Sequence, residues 1–212
     1  MVLSYMVETI KLRKKYPDFM MGFDLVGEED AGHTTLYFID EFLKRDSLEK
    51  VYGIDLPYYF HDGESTLPTN DNMYDAVLLN SRRIGHGFNL FRFPELFGLI
   101  IEKGISLEVC PLSSQILGYA NNLRMHPASE YINRGIPVTI SSDDPQLFDY
   151  TGLSYDYWSA YMAWNLNLAQ IKQLALNSIN YSTMNDSEKK TALKHFNIEW
   201  ENWIDNVNSM SN

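Results

Sequence analysis

The 212-residue chain has one cysteine, Cys110, so an internal disulfide and a disulfide-stapled scaffold are excluded. It is short of basic charge: 17 Lys and Arg stand against 28 Asp and Glu, a net charge of −11. That field repels a phosphate backbone or an anionic membrane surface, which removes nucleic acid and membrane from the expected partners. No stretch approaches the roughly 20 apolar residues that a membrane-spanning helix needs. Met1 to Glu8, followed by Lys11, Arg13, Lys14 and Lys15, lacks the charged-then-apolar order of a signal peptide. Proline, glycine and serine nowhere cluster into a linker, so residues 1–212 read as a single domain.

What is present is an alternation. Hydrophobic residues make up 45% of the chain, enough to bury a core. Short apolar or β-branched runs recur at Phe19 to Val26, Leu56 to Phe60, Arg83 to Gly85, Ile105 to Val109 and Ile136 to Ile140. Between them, Leu36 to Leu48, Met73 to Asn80, Pro94 to Glu102 and Ala128 to Asn133 carry apolar residues three and four apart, the spacing of amphipathic helices. A helix over Val7 to Tyr16 precedes the first run; Tyr155 to Asn165, Leu168 to Ser178 and Ser187 to Val207 follow the last. In the final segment Phe196, Trp200, Trp203 and Ile204 read as packing residues.

Five consecutive βα units imply a parallel sheet covered by helices, either an open doubly wound sheet or a (β/α)8 barrel. The polar residues favour the barrel. They follow the end of every run: Gly27-Glu28-Glu29-Asp30, His61-Asp62-Gly63-Glu64, His86-Gly87, Ser113-Ser114 and Asp143-Asp144. An open sheet gathers its site at one switch point, whereas a barrel draws it from many strand ends around one rim.

Three of these clusters carry chemistry. His61-Asp62-Gly63-Glu64 offers an imidazole suited to a metal, with a carboxylate one turn on as a proton carrier; alone it is equally a surface turn with a capping glutamate. In Arg83-Ile84-Gly85-His86-Gly87 the flanking glycines permit close approach to an imidazole at a strand tip. Ser141-Ser142-Asp143-Asp144-Pro145 places two adjacent carboxylates where a cation or donor must compensate their repulsion, although a helix N-cap is a plainer reading. The cytidine deaminase type of zinc chemistry is excluded, because its H-x-E with P-C-x-x-C needs a second cysteine.

Taken together in order and spacing, these blocks resemble the adenosine and AMP deaminase family, joined by Gly22-Phe23-Asp24-Leu25-Val26-Gly27 and by Leu107-Glu108-Val109-Cys110-Pro111-Leu112-Ser113-Ser114. Gly152-Leu153-Ser154-Tyr155-Asp156 and Asn177-Ser178-Ile179-Asn180-Tyr181-Ser182 are most similar to its adenosine deaminase growth factor branch, over about Glu8 to Val207. The resemblance implies a partial (β/α)8 barrel, strands four to eight with their helices, the first three strands lying upstream. It implies zinc-dependent hydrolytic deamination of adenosine or 2′-deoxyadenosine to inosine or deoxyinosine and ammonia.

By the same resemblance His61 and Asp143 are zinc ligands and Glu64 protonates purine N1. His86 orients and deprotonates the attacking water, Asp144 hydrogen-bonds the purine, and Gly27 contacts the base through its backbone. Cys110 is a packing residue, His126 precedes a helix, and His33 and His195 read as surface residues. The branch is secreted and homodimeric, and its signal peptide and dimerisation segment would lie upstream of Met1. The Asn180 and Asn185 sequons are compatible with secretion.

Two departures accompany the match. The family's other two zinc ligands come from a His-x-His pair, which this sequence lacks. Asp62 stands where the family usually has a small residue, an extra carboxylate beside the expected ligand His61. Five strands would also leave two sheet edges unpaired. A non-catalytic extracellular interaction protein derived from the enzyme, and an AMP deaminase, are the competing readings.

Overall fold

The computed structural model describes residues 1–210. Helix α1 (Val2–Lys15) buries Val2, Met6 and Ile10, four residues apart on one face, and its last turn carries Arg13, Lys14 and Lys15 against the negative end of the helix dipole. The Arg13 guanidinium reaches the carbonyls of Met20, Met21 and Asp55, tying the helix to the chain that follows.

The segment expected as one helix over Leu36 to Leu48 is broken into a 3₁₀ turn at Thr35–Phe38, then α2 (Ile39–Phe42) and α3 (Arg45–Tyr52), which closes on Gly53 in the left-handed region. The break turns Phe42 inward against Phe23, Tyr58 and Phe60, and the Tyr58 hydroxyl donates to the Phe42 carbonyl.

From here strands and helices alternate: β1 (His61–Asp62), α4 (Asn72–Leu78), β2 (Arg83–His86), α5 (Leu96–Lys103), β3 (Ser106–Val109), α6 (Pro111–Ile116), α7 (Ala128–Asn133) and β4 (Val138–Ile140). The sheet is parallel throughout, in the order β1-β2-β3-β4, with His61 opposite Gly85, Ile84 opposite Leu107 and Leu107 opposite Val138. Parallel bridges from Phe23 to Tyr58 and from Tyr58 to Ser81 add a fifth stave on the β1 side, and the Phe23, Tyr59 and His61 amides continue that ladder.

The first expected strand is thus narrower than its apolar run, because Gly22 and Asp24 interrupt it and it borders the sheet. The second apolar run enters the sheet at Tyr58 and reaches strand geometry only at His61.

The five staves make a partial α/β barrel. Ile84, Leu107, Val109, Val138 and Ile140 are nearly inaccessible, as expected of strands covered on both faces. Fully burying side chains of this size contributes about 1.5–3 kcal/mol each. Helix α6, not expected from the sequence, has six residues with proline in its first turn.

Past β4 come α8 (Ser154–Ala163), α9 (Leu168–Asn180), which opens on an Asn167–Gln170 capping box, and α10 (Asp186–Met210). Helix α10 buries no residue; its Phe196, Trp200 and Trp203 pack on one another, and Lys172 of α9 lies over the Trp200 ring. Among the described residues no helix is long and apolar enough to cross a membrane.

Candidate active site

A parallel sheet with consecutive strand order brings all its C-terminal strand ends to one rim. The fold delivers Gly27, His61, Glu64, His86, Asp143 and Asp144 there, and all six line one open cleft of about 340 Å³, beside Glu29, Tyr119 and Phe148. Every candidate residue read from the sequence is therefore in the same place.

His61, on β1, holds Asp24 through Nδ1, at 2.9 Å from one carboxylate oxygen and 3.1 Å from the other. That hydrogen bond raises the imidazole pKa against the lowering effect of burial. It also selects the tautomer with Nδ1–H donating, which leaves the Nε2 lone pair free. Its partner across the ladder, Gly85, supplies the space: a Cβ there would stand 2.6 Å from the His61 ring.

His86 ends β2 with φ +62°, and Asp143, beyond β4, has φ +56°. Non-glycine residues are uncommon in that region, and holding one there costs on the order of 1 kcal/mol. The two rings His61 and His86 lie 5.6 Å apart, and His86 Nε2 is 3.5 Å from Glu64 Oε1.

The environment drives this last pair in opposite directions. Burial, then the negative charges of Asp143 and Glu29, pushes Glu64 up to about 7. Burial pushes His86 down. A carboxyl that keeps its proton near neutrality beside an imidazole that stays neutral forms an acid and a base in one cleft.

His86, Cys110 and Asp143 offer ligand atoms within 4.8 Å of one another. Burial and the Asp143 charge push the Cys110 thiol well up, in keeping with a packing role. His61 and Asp143 supply the imidazole and carboxylate donors that suit zinc, and the Asp24–His61 pair is the carboxylate–imidazole arrangement that orients metal-binding histidines. In donor type the two residues fit part of a zinc site.

The remaining histidines are elsewhere. His126 is buried between Phe88 and Trp164; its Nδ1 accepts from the Ala128 amide at 3.1 Å and its Nε2 meets Ser114 Oγ at 3.3 Å. His33 is exposed and stacks on Tyr37, and His195 is exposed on α10. Asp62 turns away from the cleft, as alternation along a strand requires. It is buried, takes the Thr35 hydroxyl at 2.8 Å, and burial raises its pKa well above the usual carboxylate range.

Two side chains of the rim carried no expected role. Asp24 lies within a quoted block, and its contact with His61 joins residues 37 apart. Glu29 holds the turn that carries Glu64. Neither contact leaves a periodic mark in the sequence.

Fold and rim together define a partial α/β barrel with an acid and a base in the cleft at its strand ends, and comparison with known proteins places the chain in a family. The family model for adenosine deaminase matches residues 3–197, and the chain belongs to that family. It is 48% identical over 213 residues to adenosine deaminase 2 of Dictyostelium discoideum, covering 100% of this chain and 39% of that protein. It is 40% identical to adenosine deaminase 2 of Homo sapiens, covering 92% and 39%. The chain thus spans about two-fifths of the length of these relatives.

Among solved structures, an amidohydrolase from Burkholderia ambifaria with bound Zn superposes with a TM-score of 0.79 at 21% identity, covering 98% of this chain and 56% of that one. Arabidopsis ADAL complexed with GMP gives 0.76 at 22% identity, covering 93% and 55%. At these identities the likeness bears on the fold alone.

Proposed function

We propose that this chain carries the deaminating half of an adenosine deaminase of the adenosine deaminase 2 branch, converting adenosine or 2′-deoxyadenosine and water to inosine or deoxyinosine and ammonia. The observation that carries the reading is the Glu64–His86 pair, 3.5 Å apart with pKa values driven in opposite directions, in the cleft that the other four candidate residues line.

Glu64, protonated near neutral pH, donates to purine N1, which draws electron density from C6. His86, held neutral by burial, takes the proton of the attacking water and returns it toward the departing amine. Asp144 and the Gly27 backbone both line the cleft, where they would orient the base. Zinc held by His61 and Asp143 would supply Lewis-acid activation of the water for attack at C6. Two donors hold zinc less tightly than four, so added zinc belongs in the assay. The partner is then a small molecule, and secretion and homodimer formation follow from the branch resemblance.

Purified chain with added zinc is incubated with adenosine, and inosine is followed by its absorbance change, beside Glu64→Gln and beside AMP as substrate. Turnover of adenosine that E64Q abolishes supports the assignment. Faster turnover of AMP moves it to AMP deaminase, and a folded chain inert toward both makes it a non-catalytic relative.

A further inference from the structure

The turn Asp62–Ser65 has to place the Glu64 carboxyl against His86, yet it is a loop, and loops are soft unless their amides are held. Here one side chain holds them. Glu29 Oε1 accepts the Gly63 amide at 2.8 Å and the Asn72 side-chain amide at 2.8 Å; Oε2 accepts the Glu64 amide at 2.9 Å and the Ser65 amide at 3.3 Å.

Four hydrogen bonds fill the acceptor positions of a single carboxylate. Three consecutive amides converging on one anion make a concave nest, and charge-assisted bonds of this kind are roughly twice as strong as neutral ones. Gly63 at φ +72° makes the convergence possible, because a Cβ there would stand 2.6 Å from Asn89 Oδ1 and from Met73 Sδ. The neighbouring Asp30 accepts from Ser65 Oγ at 2.5 Å and secures the turn's far end.

We propose that Glu29 is a positioning residue: its carboxylate clamps the Gly63–Ser65 amides and so sets where the Glu64 carboxyl stands relative to His86. This rests on the deaminase reading only for its effect on turnover; the contact itself is independent of the reaction. Besides the negative charge it sets near Glu64, it acts as a clamp, because three of its bonds go to backbone amides, the fourth goes to the Asn72 side-chain amide, and none goes to the Glu64 carboxyl.

The test uses the full chain with Glu29→Gln and Glu29→Asp. Gln keeps the volume but turns an amide donor toward one of the amides that Glu29 accepts. Asp keeps the charge but withdraws the carboxylate by one methylene. For both variants, amide exchange at Gly63, Glu64 and Ser65 is expected to quicken about tenfold or more, which corresponds to about 1.4 kcal/mol of lost protection. The His86 ring proton resonances are expected to shift, with thermal melting reporting that the fold persists.

Adenosine turnover is expected to lose about 100-fold in kcat with KM within a factor of two, as a misplaced catalytic group does. Unchanged exchange and unchanged His86 resonances in both variants overturn the clamp. An E29D chain with full turnover reduces Glu29 to a charge and overturns it equally. A parent chain without any turnover defeats the deaminase reading alone, and the exchange and resonance data still decide the clamp.

Discussion

His86 and His126 are buried to nearly the same extent, 6% and 2% exposed, in neighbouring parts of one fold, and they are held in opposite ways. His126 has both ring nitrogens engaged, by the Ala128 amide and by Ser114, whose hydroxyl passes the chain on to the Cys110 carbonyl; Phe88 and Trp164 close over the ring. His86 has a distant carboxyl on one nitrogen and a left-handed backbone beneath it. Burial alone therefore does not separate a packing histidine from the one proposed as the base. Satisfied hydrogen bonds mark the first; strain and an open valence facing a cleft mark the second.

The sharpest way to break that contrast is His86→Asn. Asparagine tolerates positive φ, so the melting temperature should stay level or rise, while loss of the proposed base should lower adenosine turnover by about 10²–10⁴-fold. An H86N chain that melts well below its parent would put His86 with the packing histidines.

Next in size, His126→Asn keeps an acceptor near the Ala128 amide but deletes ring packing and the bond to Ser114. Urea unfolding should show a loss of about 2–3 kcal/mol with KM unchanged.

The same variant tests pH. Burial pushes His126 down to about 3, whereas the unfolded chain titrates near 6.5, so the unfolded state binds the proton first. Stability owed to this group is complete above about 6.5 and is lost as pH falls toward 3. Urea midpoints between pH 7 and pH 4 should fall less steeply in H126N than in the parent, and parallel slopes would refute the assignment.

At the small end, Glu130→Ala removes the exposed i,i+4 pair between α7 and Arg134 at its C-terminal cap, outside both regions, and should cost less than about 0.5 kcal/mol in the same titration.

The βα rhythm was legible in the sequence because strands covered on both faces must be apolar throughout while their covering helices repeat every three to four residues. Helix Ala128–Asn133 has the bounds its spacing predicts. The first strand shrank to the pairing at Phe23 because an interrupted run at a sheet border has little to pair with. Helix α6 escaped notice because between its proline and Ile116 it carries only Leu112 as a large apolar residue.

The six candidate residues were legible as polar clusters at strand ends and by resemblance, and the fold gathers all of them. Asp24 and Glu29 could be seen as residues but not as partners, since their contacts join positions 34 to 43 apart in sequence that only the folded sheet brings together.

Gly85 contributes no functional group, yet the His61 imidazole occupies the space where its side chain would be. A saturation scan of the rim would accordingly find a residue with no chemistry as intolerant as the histidine it shelters. Alanine, the mildest replacement on any similarity scale, would there act as a wedge. Ranking rim positions by the chemistry of their side chains would overlook the one whose contribution is to leave room.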